Sequence, residues 1–167
     1  MEYLKYQPHI NPNDVSRDAI WMRMALEEAR AAMEAGEVPV GAVIVRGDEL
    51  LARAQNRCER DGNATAHAEC LAIAQACKKA GHWRLSGCTL YVTLEPCPMC
   101  AGAAINARIG RVVFAARDPR MGACGSLLDL SAYPLEITPK YESGLMESDA
   151  RALLRDFFTK MRKNCKK

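Results

Sequence analysis

The chain has 167 residues, 49% of them hydrophobic and 26% charged, with a formal net charge of +3. That length and composition suit one folded domain with a sizeable core, and they exclude a disordered or low-complexity chain. The mild positive charge permits a nucleic-acid partner without requiring one, and no apolar run approaches the length of a membrane span. Residues 1–15, with Pro8 and Pro12 among mixed polar positions, read as a flexible lead-in to a single domain over residues 16–167. Asp14 or Ser16 can cap a first helix, in which Met22, Ala25, Leu26, Ala29 and Met33 recur at helical spacing until Gly36. Residues 38–45 predict a strand, 46–49 a turn, and 50–55 the returning strand of a hairpin. Residues 56–63 are polar and read as a loop, and a helix over 66–80 ends at Gly81. The strand expected at 89–94 is apolar enough to be buried on both faces. A helix opening at Cys97 and Cys100 runs to Asn106, and a fourth strand follows at 111–115. The polar, glycine-containing segment 117–126 is then a loop at a strand end, where function concentrates. An apolar patch (Leu127, Leu128, Leu130) and a fifth strand over 135–138 lead to the last helix, with Ala150, Leu153, Leu154, Phe157, Phe158 and Met161 buried on one stripe. The order α-β-β-α-β-α-β-β-α predicts an α/β fold, a three-layer α/β/α sandwich around a mixed five-stranded sheet.

Of the eight cysteines, Cys58, Cys70, Cys77, Cys88, Cys124 and Cys165 have no framework-like spacing and read as buried or incidental thiols. With no apolar signal segment at the start, a reducing, cytoplasmic setting is the expectation. The remaining pair differs. Pro96-Cys97-Pro98-Met99-Cys100 sets two thiols three residues apart at a helix start, where the partial positive charge favours thiolates. Alone, the pair fits a zinc site, a dithiol redox pair or two small buried side chains. His67-Ala68-Glu69 upstream adds an imidazole and a carboxylate, and the whole pattern becomes H-x-E…P-C-x-x-C. His67, Cys97 and Cys100 are one ligand short of a closed structural zinc site and the right number for an open catalytic one. Glu69 is then a general acid/base beside the open position. A zinc-binding scaffold or RNA-binding module has no use for that carboxylate, and a redox pair would carry no stoichiometric metal.

These motifs carry a resemblance. From about residue 16 to residue 163 the chain resembles the cytidine deaminase-like superfamily, and within it the bacterial tRNA-specific adenosine deaminases. The carriers are Glu37-Val38-Pro39-Val40-Gly41-Ala42, Asn56-Arg57, Thr65-Ala66-His67-Ala68-Glu69, and segments 90–103, 108–114 and 117–126. Gly122-Ala123 and Gly125-Ser126, with Asp156-Phe157-Phe158, narrow the match beyond the metal motif. The resemblance implies hydrolysis of adenosine to inosine at the wobble position of a tRNA anticodon stem-loop, by a homodimer with one Zn2+ per subunit. It assigns zinc binding to His67, Cys97 and Cys100 and proton transfer to Glu69. Asn56 would contact the flipped purine, and Asp118 and Phe158 the anticodon nucleotides. The C-terminal Lys160, Arg162, Lys163, Lys166 and Lys167 can meet phosphates or simply complement a helix dipole. Cys58-Glu59 and Cys70 depart from the residues usual in relatives, which bears on the pocket rim and not on the signature. The nearest rival is a deaminase of a free base or nucleoside, guanine or cytosine, on the same zinc core.

Overall fold

The structure is a computed structural model in which residues 16–164 are described. The lead-in, the Asp14 cap and Cys165, Lys166 and Lys167 lie outside the described residues. The elements are α1 (Arg17–Glu34), β1 (Gly41–Arg46), β2 (Glu49–Gln55), α2 (Cys58–Asp61), α3 (Ala68–Ala80), β3 (Cys88–Leu94), α4 (Pro98–Asn106), β4 (Arg111–Ala116), a 3-10 turn (Leu130–Ala132), β5 (Lys140–Ser143) and α5 (Glu147–Asn164). Five strands form one mixed sheet in the order β2-β1-β3-β4-β5. β1 is antiparallel to both β2 and β3, whereas β3, β4 and β5 run parallel.

Alternation along the strands divides the core in two. Ala42, Ile44, Leu90, Val92, Val112 and Phe114 face α3 and α4. Val43, Val45, Tyr91, Val113 and Ala115 face α1 and α5. This is the three-layer α/β/α sandwich that the element order predicts. Helix α1 starts at Ser16, whose hydroxyl accepts from the Ala19 N–H at 3.3 Å. It lies so close to the sheet that a Cβ on Gly41 would stand 2.1 Å from the Ala25 carbonyl oxygen. On the same face, Arg111 bridges Asp18 and Glu142, tying α1, β4 and β5 together. Among the described residues no helix is long and apolar enough to cross a membrane.

Four expectations need correcting. The first strand begins at Gly41 rather than at residue 38, because Pro39 lacks an N–H and the Val40 N–H turns back to the Val38 carbonyl at 2.8 Å. Segment 56–63 contains the short helix α2, stopped by Gly62 at φ 56°. The fifth strand is Lys140–Ser143, not 135–138. Pro134 and Pro139 bracket the apolar run and deny it a ladder, and pairing starts only where the Lys140 N–H reaches the Gly110 carbonyl at 3.0 Å. On α5, only Ala150 and Phe157 of the expected stripe are buried. Leu153, Leu154 and Phe158 are half-buried and Met161 is exposed, because α5 packs on the one side offered by α1, β3 and β4.

Candidate active site

The site forms where two helices begin. His67 is the N-cap of α3 and Cys97 the N-cap of α4, and neither uses its side chain to cap. Neither side chain is spent on its own helix, and the start of α4 favours a thiolate at Cys97. Cys100 sits in the first turn of α4 and is fully buried. The His67 Nδ1 lies 3.7 Å from the Cys97 Sγ and 3.4 Å from the Cys100 Sγ. All three donor atoms fall within 4.8 Å of one another. A tetrahedral zinc ion with ordinary bond lengths holds thiolate and imidazole donors roughly 3.5 Å apart, so this donor set fits such an ion.

Glu69, in the first turn of α3, is 4% exposed and lines the same cavity as His67 and Cys97. Burial pushes its carboxyl above the usual range, which suits a group that must hold a proton near neutrality. The Cys100 hydrogen bond, assisted by His67, holds the Cys97 thiol down at about 4. Hydrogen bonding to Cys97 raises His67, and contact with Cys70 and then Cys97 raises Cys100. A metal bound to these donors would release the protons they carry. Cys70 is not the incidental thiol that its spacing implies. Its Sγ lies 3.8 Å from that of Cys100.

The cavity measures about 280 Å³, near the small end of ligand sites. Val38, Val40 and Leu94 give it apolar surface, and Met121 stands at its mouth. Asn56 and Asp118 both line it, on opposite sides of the donor set in sequence. The Asn56 amide is oriented from two directions: its Nδ2 donates to Glu37 at 3.3 Å, and its Oδ1 accepts from the Cys58 thiol at 3.5 Å. Glu37, 1% exposed, also accepts from the Glu59 and Arg60 backbone N–H groups at 3.2 and 2.7 Å, fastening α2 to this wall. Asp118 belongs to the 117–126 loop, which folds over the buried Glu95. Phe158 does not line the cavity. It meets the loop through Arg120, whose guanidinium lies 5.7 Å from its ring centre. Sequence reasoning missed Glu37 and Glu95 as wall-holding residues. Their partners are backbone amides 22 to 31 residues away, which leave no spacing signal.

A family model described as MafB19-like deaminase matches residues 16–162. The tRNA-specific adenosine deaminase of Bacillus subtilis (strain 168) is 46% identical over 153 residues, covering 91% of this chain and 95% of the relative. The chain belongs to the MafB19-like deaminases, among the tRNA-specific adenosine deaminases. A solved tRNA:A34 deaminase, studied for A-to-I editing at the wobble position of transfer RNA, superposes with a TM-score of 0.78 at 45% identity. That match covers 81% of this chain and 99% of the other. Guanine deaminase from Nitrosomonas europaea shares the fold more distantly, with a TM-score of 0.72 at 30% identity over 86% of this chain and 85% of that one. The enzyme is therefore a deaminase of cytidine deaminase-like fold, and its His67, Cys97 and Cys100 form a group able to hold a metal.

Proposed function

We propose that this enzyme is a zinc-dependent deaminase converting adenosine to inosine at the wobble position of a tRNA anticodon, in the cytoplasm. The observation that carries the chemistry is the buried Glu69 carboxylate sharing a cavity with the three-donor cluster. His67, Cys97 and Cys100 would hold the zinc, which when bound supplies Lewis-acid activation of water at neutral pH. Glu69 takes a proton from the water that attacks C6 of adenine and delivers it to N1. It then carries the second proton to the departing amine, so that water and adenosine become inosine and ammonia. Asn56, its amide fixed by Glu37 and Cys58, presents its second N–H to the purine edge. Leu94 and the valines exclude water from the base.

The RNA reading rests on the relatives, whose names specify tRNA. It is supported by the basic residues Lys160, Arg162 and Lys163 towards the end of α5 and by the Arg120–Phe158 pair, where Asp118 and Phe158 would meet anticodon nucleotides. We read residues 16–167 as one deaminase domain. A homodimer is supported by exposed apolar side chains clustered in one segment, Leu127, Leu128, Tyr133, Leu135 and Ile137.

The deciding experiment is inosine formation on a minimal anticodon stem-loop with adenosine at the wobble position, beside free adenosine, guanine and cytosine, with zinc content and light scattering recorded. Activity confined to the stem-loop supports the assignment. The shared fold of guanine deaminase makes turnover of free guanine the competing outcome, and it would discard the substrate while keeping the chemistry.

A further inference from the structure

The segment 117–126 follows β4, has no regular secondary structure, and still forms a fixed wall of the cavity. One buried side chain gathers both of its ends. Glu95 comes directly after β3 and is 3% exposed, yet it ligates no candidate metal and takes no part in the proton transfers above. Its Oε2 accepts from the Asp118 backbone N–H at 3.0 Å and from the Ser126 hydroxyl. Its Oε1 accepts from the Cys124 and Ser126 backbone N–H groups, each at 3.0 Å. Four donors drawn from both ends of the loop converge on one carboxylate, and a carboxylate has only acceptors to offer them. Gly122 closes the loop over it, and a Cβ there would stand 2.4 Å from the Glu95 Cδ.

We propose that Glu95 is a positioning residue for substrate recognition: its carboxylate sets the 117–126 loop, with Asp118, at the distance from the donor cluster and Glu69 that the substrate requires. The inference rests on the deaminase reading above for what the wall receives. The side chain acts on binding more than on chemistry, because the backbone beside it is anchored independently. The Glu95 N–H donates to the Ala116 carbonyl of β4 at 2.8 Å, and α4 is packed into the core through the buried Ala101 and Ala104. Cys97 and α4 are thereby held to the sheet without the carboxylate.

Glu95→Gln keeps the size but puts an NH2 group against donors. The expected result is a KM for the stem-loop raised about tenfold or more, the loss of at least one charge-assisted hydrogen bond, with kcat changed far less and zinc content unchanged. Gly122→Ala attacks the same packing from the loop side and should reproduce the split, and Ser126→Ala should move KM the same way by less. Amide hydrogen exchange on the zinc-loaded protein gives a readout independent of substrate. In Glu95→Gln, exchange over residues 118–126 should quicken while β3 and α4 keep wild-type protection. Unchanged loop exchange, or unchanged KM in both Glu95→Gln and Gly122→Ala, overturns the proposal. So does a fall in kcat and zinc content with KM constant. If the wild type acts on free guanine and not on the stem-loop, the substrate reading fails, and the same KM split and exchange pattern, measured with guanine, decide the role of Glu95.

Discussion

Gly41 is the position at which one added carbon should be most damaging. Its Cβ would lie 2.1 Å from the Ala25 carbonyl oxygen, 2.5 Å from the Ala29 nitrogen and 2.7 Å from the Glu28 Cβ. Close C···O contacts in proteins settle at about 3.3 Å or more, so Gly41→Ala must drive α1 and β1 apart by about 1.2 Å. The obstructing atoms are mostly helix backbone, which cannot rotate away as a flexible side chain can. Met22, Ala25, Leu26 and Ala29 are at most 2% exposed on that interface, and a gap of this size forfeits about half of their dispersion contacts. Overpacking generally destabilises by about 1–3 kcal/mol, and a backbone clash belongs at the top of that range. For a chain of this length about 3 kcal/mol corresponds to a fall in Tm of roughly 6–12 °C. The assay is thermal unfolding of the metal-loaded protein followed by far-UV circular dichroism. Gly47→Ala is the control: it sits in the β1–β2 turn at φ 59° with nothing within 4 Å of its Cβ, so it carries only a conformational penalty of about 1 kcal/mol. A Gly41→Ala protein that melts within about 2 °C of wild type, or no lower than Gly47→Ala, would refute the claim that α1 rests on the Gly41 backbone.

Glu69→Gln should retain zinc and lose about 10²–10⁴-fold in kcat, measured as inosine formed per metal-loaded molecule; near-normal turnover would remove Glu69 from the proton path. Chelation should lower Tm by roughly 5–10 °C, since a metal at about a hundred times its Kd contributes about 2.7 kcal/mol. Cys97→Ser should melt at a temperature that the chelator barely moves. Acid stability should depend on Arg111, which holds Asp18 and Glu142 at about 2, below their ordinary values of 3.8 and 4.5. Depressed carboxylates stabilise the fold above their unfolded pKa, and that contribution disappears as pH falls from about 4.5 towards 2. In urea titrations across this window Asp18→Asn should start less stable and show a shallower decline, and a slope equal to wild type would exclude the ion cluster as its source.

The elements that bury a periodic face were legible in advance. Helix α1 announces itself through Met22, Ala25, Leu26 and Ala29, and β3 through Leu90, Tyr91, Val92 and Leu94, because burial demands apolar residues at the geometric repeat. The meeting of His67, Cys97 and Cys100 was legible for a chemical reason, since donor atoms on helix starts need fixed residue types at fixed intervals, and Glu69 follows two residues after His67 in the same cavity. What escaped was held by other means. β5 is a polar edge strand, Lys-Tyr-Glu-Ser, paired on one side only, and the segment 135–138 before it is bracketed by Pro134 and Pro139. Helix α2 is four residues long, none of them buried, and depends on the distant Glu37 to accept its first N–H groups. Contact between Cys70 and Cys100 joins two helices, and no local pattern records it.

The Glu37 side fastens α2 and Asn56, the Glu95 side fastens the 117–126 loop, and the donor cluster stands on α3 and α4 between them. On the proposed function, hydrolysis and choice of substrate would draw on separate segments of the chain. A lineage can redraw one side, residue by residue, while the centre that does the hydrolysis stays intact. Guanine deaminase from Nitrosomonas europaea is alike in fold at 30% identity. The residues to compare between two such enzymes are Glu37 and Glu95, which hold the walls.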